Sequence, residues 1–148
     1  MKKPNIKLVS YQVWKLNCEW IGEYENNSED FNISIDYNVY KNTDDHNLFK
    51  LDVYVGIIPS ELENGLVIDA KIVGYFSFEK ETSIEDKQKA IRYSGFQLLY
   101  STLRGHVNVS TSSFPCGNFI LPSVPVKEVV EAIEEKKKEG NSKIILKG

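Results

Sequence analysis

The side chains best suited to chemistry are few in this sequence, and they form no catalytic or metal-binding pattern. The two histidines, His46 and His106, fall on different predicted elements, and neither has a second ligand at the HxxxH spacing that zinc sites use. Cys18 and Cys116 are far apart and lack a CxxC spacing. The sequence therefore predicts two reduced thiols rather than a disulfide or a metal site.

Acid–base and nucleophilic chemistry have no better support. No serine or cysteine near His106 lies in a nucleophile elbow, and we interpret this histidine as part of an interface. Asp36 and Asp52, across a predicted hairpin, are more typical of a solvated sheet face than of a catalytic acid and base. The glycines are isolated and form no phosphate-binding loop. We predict no catalytic residue, no metal, no cofactor and no enzymatic activity.

Length and charge narrow the class of protein. A chain of 148 residues is long enough for one domain that buries roughly 70% of its unfolded surface, and we predict a single domain with a core at 6–139 and a flexible tail at 140–148. A net charge of −3 disfavours nucleic-acid binding. No apolar run is long enough for membrane insertion, and no signal peptide follows the first lysines, so we predict a cytoplasmic protein.

Four stretches with strand periodicity precede any helix, at 6–21, 31–39, 49–57 and 66–78. In the first, Leu8, Gln12, Trp14, Leu16, Cys18 and Trp20 are predicted to share one face, opposite Val9, Tyr11, Val13 and Lys15. Strands followed by helices are typical of α+β domains. We predict a four-stranded antiparallel sheet with a long helix and a second, C-terminal helix packed on one face.

The segment from Ser83 to Ser113 is the longest predicted element. Ser83 is a good N-cap, and Glu85 and Asp86 place negative charge at the positive helix end. Its apolar side chains cover more circumference than one sheet buries. It is either the central helix of a monomer or a subunit-interface helix, and we prefer the second. The predicted oligomer interface is Phe96, Leu99, Tyr100, Leu103 and Val107.

The rest of the chain holds a crossing, a helix and a tail. The crossing, Phe114 to Pro125, contains three prolines and is apolar. Val126 to Glu139 predicts an amphipathic helix that ends at Gly140. Ile144 to Leu146, in the tail, is compatible with a surface position or with the edge of a sheet.

The run Gly74-Tyr75-Phe76-Ser77, the helix containing Tyr100, and the later Phe114-Pro115 and Leu121-Pro122 resemble the C-terminal half of the SecB family of export chaperones. With the order of the strands, the resemblance covers about residues 6–139. It implies a tetramer built as a dimer of dimers, with long helices between two sheets. It also implies an ATP-independent chaperone that holds unfolded or precursor polypeptides for export.

The resemblance also implies site residues. The client-binding groove would comprise Ile33, Ile35, Tyr37, Phe119, Leu121, Val126, Val130 and Ile133. A contact with the SecA motor would include Val67 and Asp69. The sequence departs from the family pattern at the short loop Gly22 to Asp30, at Thr102 and in its lysine-containing tail. Two alternatives stay open: a SecB-like chaperone dedicated to the antitoxin of a toxin–antitoxin system, and a small-ligand-binding α+β domain.

Overall fold

A computed structural model describes residues 5–22, 31–60, 65–79, 81–115, 117–140 and 144–147. One antiparallel sheet contains β1 (Ile6–Ile21), β2 (Phe31–Lys41), β3 (Leu48–Pro59), β4 (Gly65–Phe78) and β5 (Ile144–Lys147), in the order β1-β4-β3-β2-β5. The helices are α1 (Ile84–Ala90), α2 (Phe96–Ser110) and α3 (Val126–Lys137). In these described parts, no helix is both long and apolar enough to cross a membrane.

The α+β architecture is confirmed, but the predicted strand count is wrong by one. The additional strand, β5, lies in the segment that the sequence analysis assigned to the tail, and it pairs antiparallel with β2. Its residues are apolar enough to serve as an edge strand, which is one of the two positions compatible with the sequence. The pairing with β2 shows that the segment is an edge strand. Four residues are too few for periodicity to predict this, because strand formation depends strongly on the neighbouring strand.

The predicted faces of β1 are correct at both ends of the strand and wrong between two β-bulges, because the second bulge restores the alternation that the first reverses. The pairing of β1 with β4 shifts between Leu8 and Ser10 and again between Val13 and Lys15. An extra residue in a strand moves every later side chain to the opposite face. The side chains paired with the inward-facing positions of β4 are therefore Ile6, Leu8, Tyr11, Val13, Leu16, Cys18 and Trp20. Between the bulges, Tyr11 and Val13 take the inward positions predicted for Gln12 and Trp14. Trp14 lies at the second bulge and is 52% exposed.

The predicted long helix runs from residue 84 to residue 110 as two α-helices joined by a π-helical turn, Ile91–Gly95. Its predicted N-cap is confirmed, because the Ser83 hydroxyl accepts a hydrogen bond from the Asp86 amide at 3.2 Å. Gly105 does not end the helix, which continues to Ser110. Three residues predicted as helical therefore lie beyond it.

Two glycines bring the helix close to the sheet. A Cβ atom at Gly74 on β4 would lie 2.7 Å from the Leu99 side chain of α2. A Cβ atom at Gly95 would lie 3.3 Å from Leu51 and 3.4 Å from the ring of Phe76. The helix therefore packs on the sheet at a distance that only these small residues allow.

Side chains of α2 and of the residue after it hold the crossing in place by hydrogen bonding to backbone groups of the crossing. The Tyr100 hydroxyl donates to the Pro122 carbonyl at 2.7 Å, and Arg104 Nε donates to the Leu121 carbonyl at 2.7 Å. The amide of Phe119 donates to the buried Thr111 hydroxyl, also at 2.7 Å. These bonds satisfy backbone groups that lie outside regular structure, so the crossing is ordered without being a helix or strand.

Candidate functional site

The candidate site is the apolar layer between β2 and α3 at one side of the sheet. Alternation along β2 directs Ile33, Ile35 and Tyr37 to the same face, where all three are buried. Helical spacing on α3 buries Val130 and Ile133 on its inner stripe. With the crossing, these elements form the β2–α3 layer, defined as Ile33, Ile35, Tyr37, Phe119, Leu121, Val126, Val130 and Ile133.

The structure brings the eight predicted groove residues into one apolar cluster, but it closes them off from solvent. Phe119 and Val126 are partly buried, and the other six are at most 2% exposed. Phe119 packs edge-on against Phe31 at the start of β2, with ring centroids 5.4 Å apart. The layer is therefore part of the core in this conformation, and only its Phe119 and Val126 side is accessible.

A charged rim covers the other end of the layer. The Lys137 Nζ atom lies 4.2 Å from the centre of the Tyr37 ring. Glu134 forms an ion pair with Arg92, with 3.4 Å between Glu134 Oε1 and Arg92 Nε. Burial, together with the negative charge of Glu134, raises the pKa of Tyr37. Burial lowers the pKa of Lys137. Arg92, Glu134 and Lys137 border a cavity of about 420 Å³ that Asn38 on β2 also lines.

The outer edge of the layer is filled by the chain's own last strand. Ile144 pairs with Ile35 and Leu146 pairs with Ile33, so both tail side chains face inward beside β2. Ile144 is only 4% exposed, whereas Ile145, on the other face of β5, is 62% exposed. Helix α3 also contacts β5. The tail thus extends the sheet beyond β2 and contacts α3.

The residues predicted at the oligomer interface are not on the surface of this chain. Phe96, Leu99, Tyr100, Leu103 and Val107 are between 0% and 4% exposed and pack in the chain's own core. They offer no area to a partner subunit in this conformation. The large apolar side chains that remain exposed on the helical segment are Ile84, Leu98 and Val109. Helical periodicity was correctly identified, but the sequence did not specify which apolar stripe faces the sheet.

The two residues predicted to contact SecA lie on the outer face of the sheet, two positions apart on β4. Val67 is half-buried, and the exposed Asp69 forms an ion pair with Lys15 on β1. A neighbouring carboxylate, Asp52, is 2% exposed and lies 3.6 Å from Lys71 Nζ. The charges of this face are therefore mixed in sign.

The outer face also carries a group of aromatic and lysine side chains that the sequence analysis missed. Lys71 lies 4.5 Å from the ring centre of Trp14 and 5.0 Å from that of Tyr54. Lys50 lies 5.4 Å from Trp14 and 4.6 Å from Tyr40. Such contacts depend on strand order and on the bulge at Trp14, neither of which periodicity reveals.

The thiols and histidines form no chemical centre in the described residues. Cys18 is half-buried, and burial raises the pKa of its thiol, which disfavours the reactive thiolate. Cys116 lies outside the described residues. The His106 ring lies near Tyr11 of β1, with His106 Nε2 and the Tyr11 hydroxyl 3.3 Å apart. No group of three potential metal ligands occurs in the part of the chain that the structure describes.

Comparison with known proteins identifies the fold. No family model and no curated protein sequence matches the chain. Among solved structures, the chain is similar to the SecB-like chaperone Rv1957 of Mycobacterium tuberculosis in complex with a ChAD peptide from the antitoxin HigA1. The identity is 10% and the TM-score is 0.66, over 80% of this chain and 90% of that one.

A second solved structure, a protein of unknown function from Streptococcus agalactiae, is 11% identical with a TM-score of 0.47, over 81% of this chain and 98% of that one. The match to Rv1957 shows that the chain has the fold of the SecB-like chaperones.

Proposed function

We propose that this protein is a chaperone that binds extended apolar segments of unfolded polypeptides without ATP. The observation that carries the proposal is the β2–α3 layer, an apolar cluster at the side of a SecB-like fold with partly accessible side chains at Phe119 and Val126. No catalytic step, metal or cofactor belongs to this function.

The physical basis is the burial of several client side chains at once. Fully burying one large apolar side chain contributes about 1.5–3 kcal/mol, while ordering the client and restricting its motion cost several kcal/mol. A single contact is therefore too weak, and several along one extended segment produce useful affinity. Binding in the layer requires α3 or β5 to move away from β2, because six of its eight side chains are buried in the closed state.

Two kinds of client fit this proposal. Export precursors are the clients that the SecB resemblance implies, and SecA recruitment through Val67 and Asp69 would then follow. An antitoxin is the alternative client, and it is favoured by the likeness to Rv1957, whose solved structure holds an antitoxin peptide. The mixed charge around Asp69 favours the antitoxin role over SecA recruitment, because the carboxylate is already paired with Lys15. Both roles place the protein in the cytoplasm.

We also propose assembly into a dimer of dimers. The exposed apolar side chains Leu98 and Val109 lie on the face of α2 that the chain's own sheet leaves uncovered, at 43% and 73% exposure. β1 is an edge strand of 16 residues with unpaired backbone groups along one side. A second subunit that covers either surface would remove apolar area from water.

Suppression of aggregation tests the chaperone function. The protein is mixed with insulin, the insulin is reduced, and light scattering by its B chain is followed with and without ATP. We expect stoichiometric suppression that is independent of ATP. The variant Phe119→Ala removes an apolar contact surface and should weaken suppression several-fold, whereas the neighbouring Ile120→Ala, at a site 60% exposed, should leave it unchanged. No suppression by the parent protein at molar excess would refute the proposal.

The molar mass in solution, measured by light scattering after size exclusion, tests the assembly. We expect about four chains per particle. Leu98→Asp should lower this mass because it places a charge on the proposed interface. The matched control is Ile58→Asp. Ile58 is 42% exposed, but it lies on β3 and not on the face of α2 that is proposed as the interface. An unchanged mass for the Leu98 variant would place the interface elsewhere.

A further inference from the structure

We propose that β5 is a built-in competitor of the client: it occupies the edge of β2 where an extended client segment would pair, and client binding displaces it. This inference rests on the proposed chaperone function and adds a regulatory element to the same site. The observation that carries it is that the tail strand pairs along the outer edge of β2 and also contacts α3.

The pairing of β5 reproduces the interactions that an extended client would make. Residues Ile144–Lys147 run antiparallel to residues 32–35 of β2 and make that stretch an interior strand. Without β5, β2 would be the edge of the sheet and would present unpaired backbone groups to any extended peptide. The client and the tail therefore compete for the same backbone groups.

The side chains of β5 also have the chemistry expected of a client. Ile144 and Leu146 alternate on the inner face and join the apolar cluster that contains Ile33 and Ile35. Ile145 points away and is largely exposed. A peptide with apolar residues at alternate positions would place its side chains in the same two positions. The tail thus occupies part of the predicted groove as well as its edge.

Displacing β5 from β2 breaks few contacts. The strand is four residues long, and among the residues that the structure describes β2 is its one strand partner. A short edge segment of this kind opens more readily than an interior strand, because few contacts must be broken. Six residues, 138–143, separate it from α3, so release of the strand leaves the helix in place.

The competition lowers the apparent affinity for a client. When the tail occupies β2, only the fraction of molecules with an open edge binds, and the measured dissociation constant rises in inverse proportion to that fraction. Weakening β5 should therefore tighten client binding. If β5 had only a structural role, weakening it would destabilise the site and would therefore weaken client binding.

The first test follows hydrogen–deuterium exchange of the unmodified protein. The probe is reduced and carboxymethylated α-lactalbumin, which stays unfolded. When this probe saturates the protein, the amides of residues 144–147 should exchange faster, and those of residues 32–35 should remain protected by the new strand. Continued protection of residues 144–147 in the complex would overturn the proposal.

The second test compares two variants on the same strand. Ile144→Asn removes a core-facing side chain and should lower the dissociation constant for the probe by about tenfold, the effect expected if about one molecule in ten is open in the parent protein. Ile145→Asn changes the exposed side chain and should bind as the parent does. Circular dichroism and urea unfolding establish that each variant is folded.

The results separate this proposal from the chaperone function. If the parent protein binds the probe but Ile144→Asn binds it no more tightly, the competition is refuted and the chaperone function stands. If neither the parent nor the variant binds the probe, the chaperone function fails, and the competition fails with it.

Discussion

The close approach of α2 to the sheet at Gly74 leads to a prediction with a definite sign. A Cβ atom at this position would lie 2.7 Å from Leu99 Cδ2, 3.0 Å from Leu99 Cδ1 and 2.9 Å from Phe76 Cε2. Leu99 and Phe76 are both fully buried, so neither side chain has solvent space into which to move. Gly74→Ala must therefore shift the helix or force Leu99 out of its rotamer.

The magnitude follows from two opposing effects. Overpacking of a well-packed core costs about 1–3 kcal/mol. Alanine in a strand interior recovers about 0.5–1 kcal/mol of the conformational entropy that glycine loses on folding. The net expectation is a destabilisation of about 1–2 kcal/mol. With a urea m-value of about 2 kcal/mol per molar, the unfolding midpoint should fall by about 0.5–1 M.

Gly56→Ala is the matched control, because the nearest side-chain atom to a Cβ there is Ser34 Cβ at 3.6 Å, an ordinary contact. This variant should be neutral or should stabilise the fold by up to about 0.5 kcal/mol. Leu99→Ala alone should cost about 2–5 kcal/mol, and the double variant with Gly74→Ala should cost less than the sum, because the cavity accepts the new methyl group. Strict additivity, or a raised midpoint for Gly74→Ala, would refute the packing argument.

Two further variants test the contacts that hold the crossing, and one of them also tests the pH response. Tyr100→Phe should cost about 1–2 kcal/mol in urea unfolding, because it leaves the Pro122 carbonyl without its donor. Thr111→Val should cost about 1–3 kcal/mol, since the Phe119 amide loses its acceptor. Burial raises the pKa of Tyr100 from 10.0 to about 12, so stability present below pH 10 should be lost as the pH rises toward 12, with a shallower loss in Tyr100→Phe. Unchanged midpoints or equal pH slopes would contradict these assignments.

Much of the fold was predictable because local signals agree with tertiary packing. The hairpin of β2 and β3 follows from clean alternation, and every residue from Phe31 to Lys41 has a partner on β3. The helix start at Ser83 follows from capping chemistry. In both cases the residues that give the sequence signal are also the residues that make the observed contacts.

The wrong predictions share one physical origin, which is that they depend on a neighbour that the sequence does not name. The two bulges of β1 exchange the faces of the residues between them without changing the composition of the strand. Leu99 and Leu98 are adjacent and equally apolar, yet one is fully buried and the other is 43% exposed. The missing side chain at Gly74 leaves room for Leu99, so the stripe of α2 that contains Leu99 faces the sheet.

The client-binding groove that the sequence predicts also depends on neighbours that the sequence does not name. Alternation placed Ile33, Ile35 and Tyr37 on one face, and the structure confirms that they share it. Whether that face is open to a client depends on α3 and on β5, which are far away in sequence. Periodicity reports which side chains avoid water, and it does not report whether a protein core or a client covers them.

This distinction also explains what the motif Gly74-Tyr75-Phe76-Ser77 encodes. Gly74 admits Leu99 of α2, and the ring of Phe76 lies between Gly74 and Gly95, so the motif sets the contact between helix and sheet. None of these residues belongs to the β2–α3 layer. A motif of this kind specifies the scaffold, and a shared scaffold does not by itself determine what a protein binds. Under the chaperone function proposed above, client specificity would reside in the side chains that border the β2–α3 layer, including Ile144 of the tail strand.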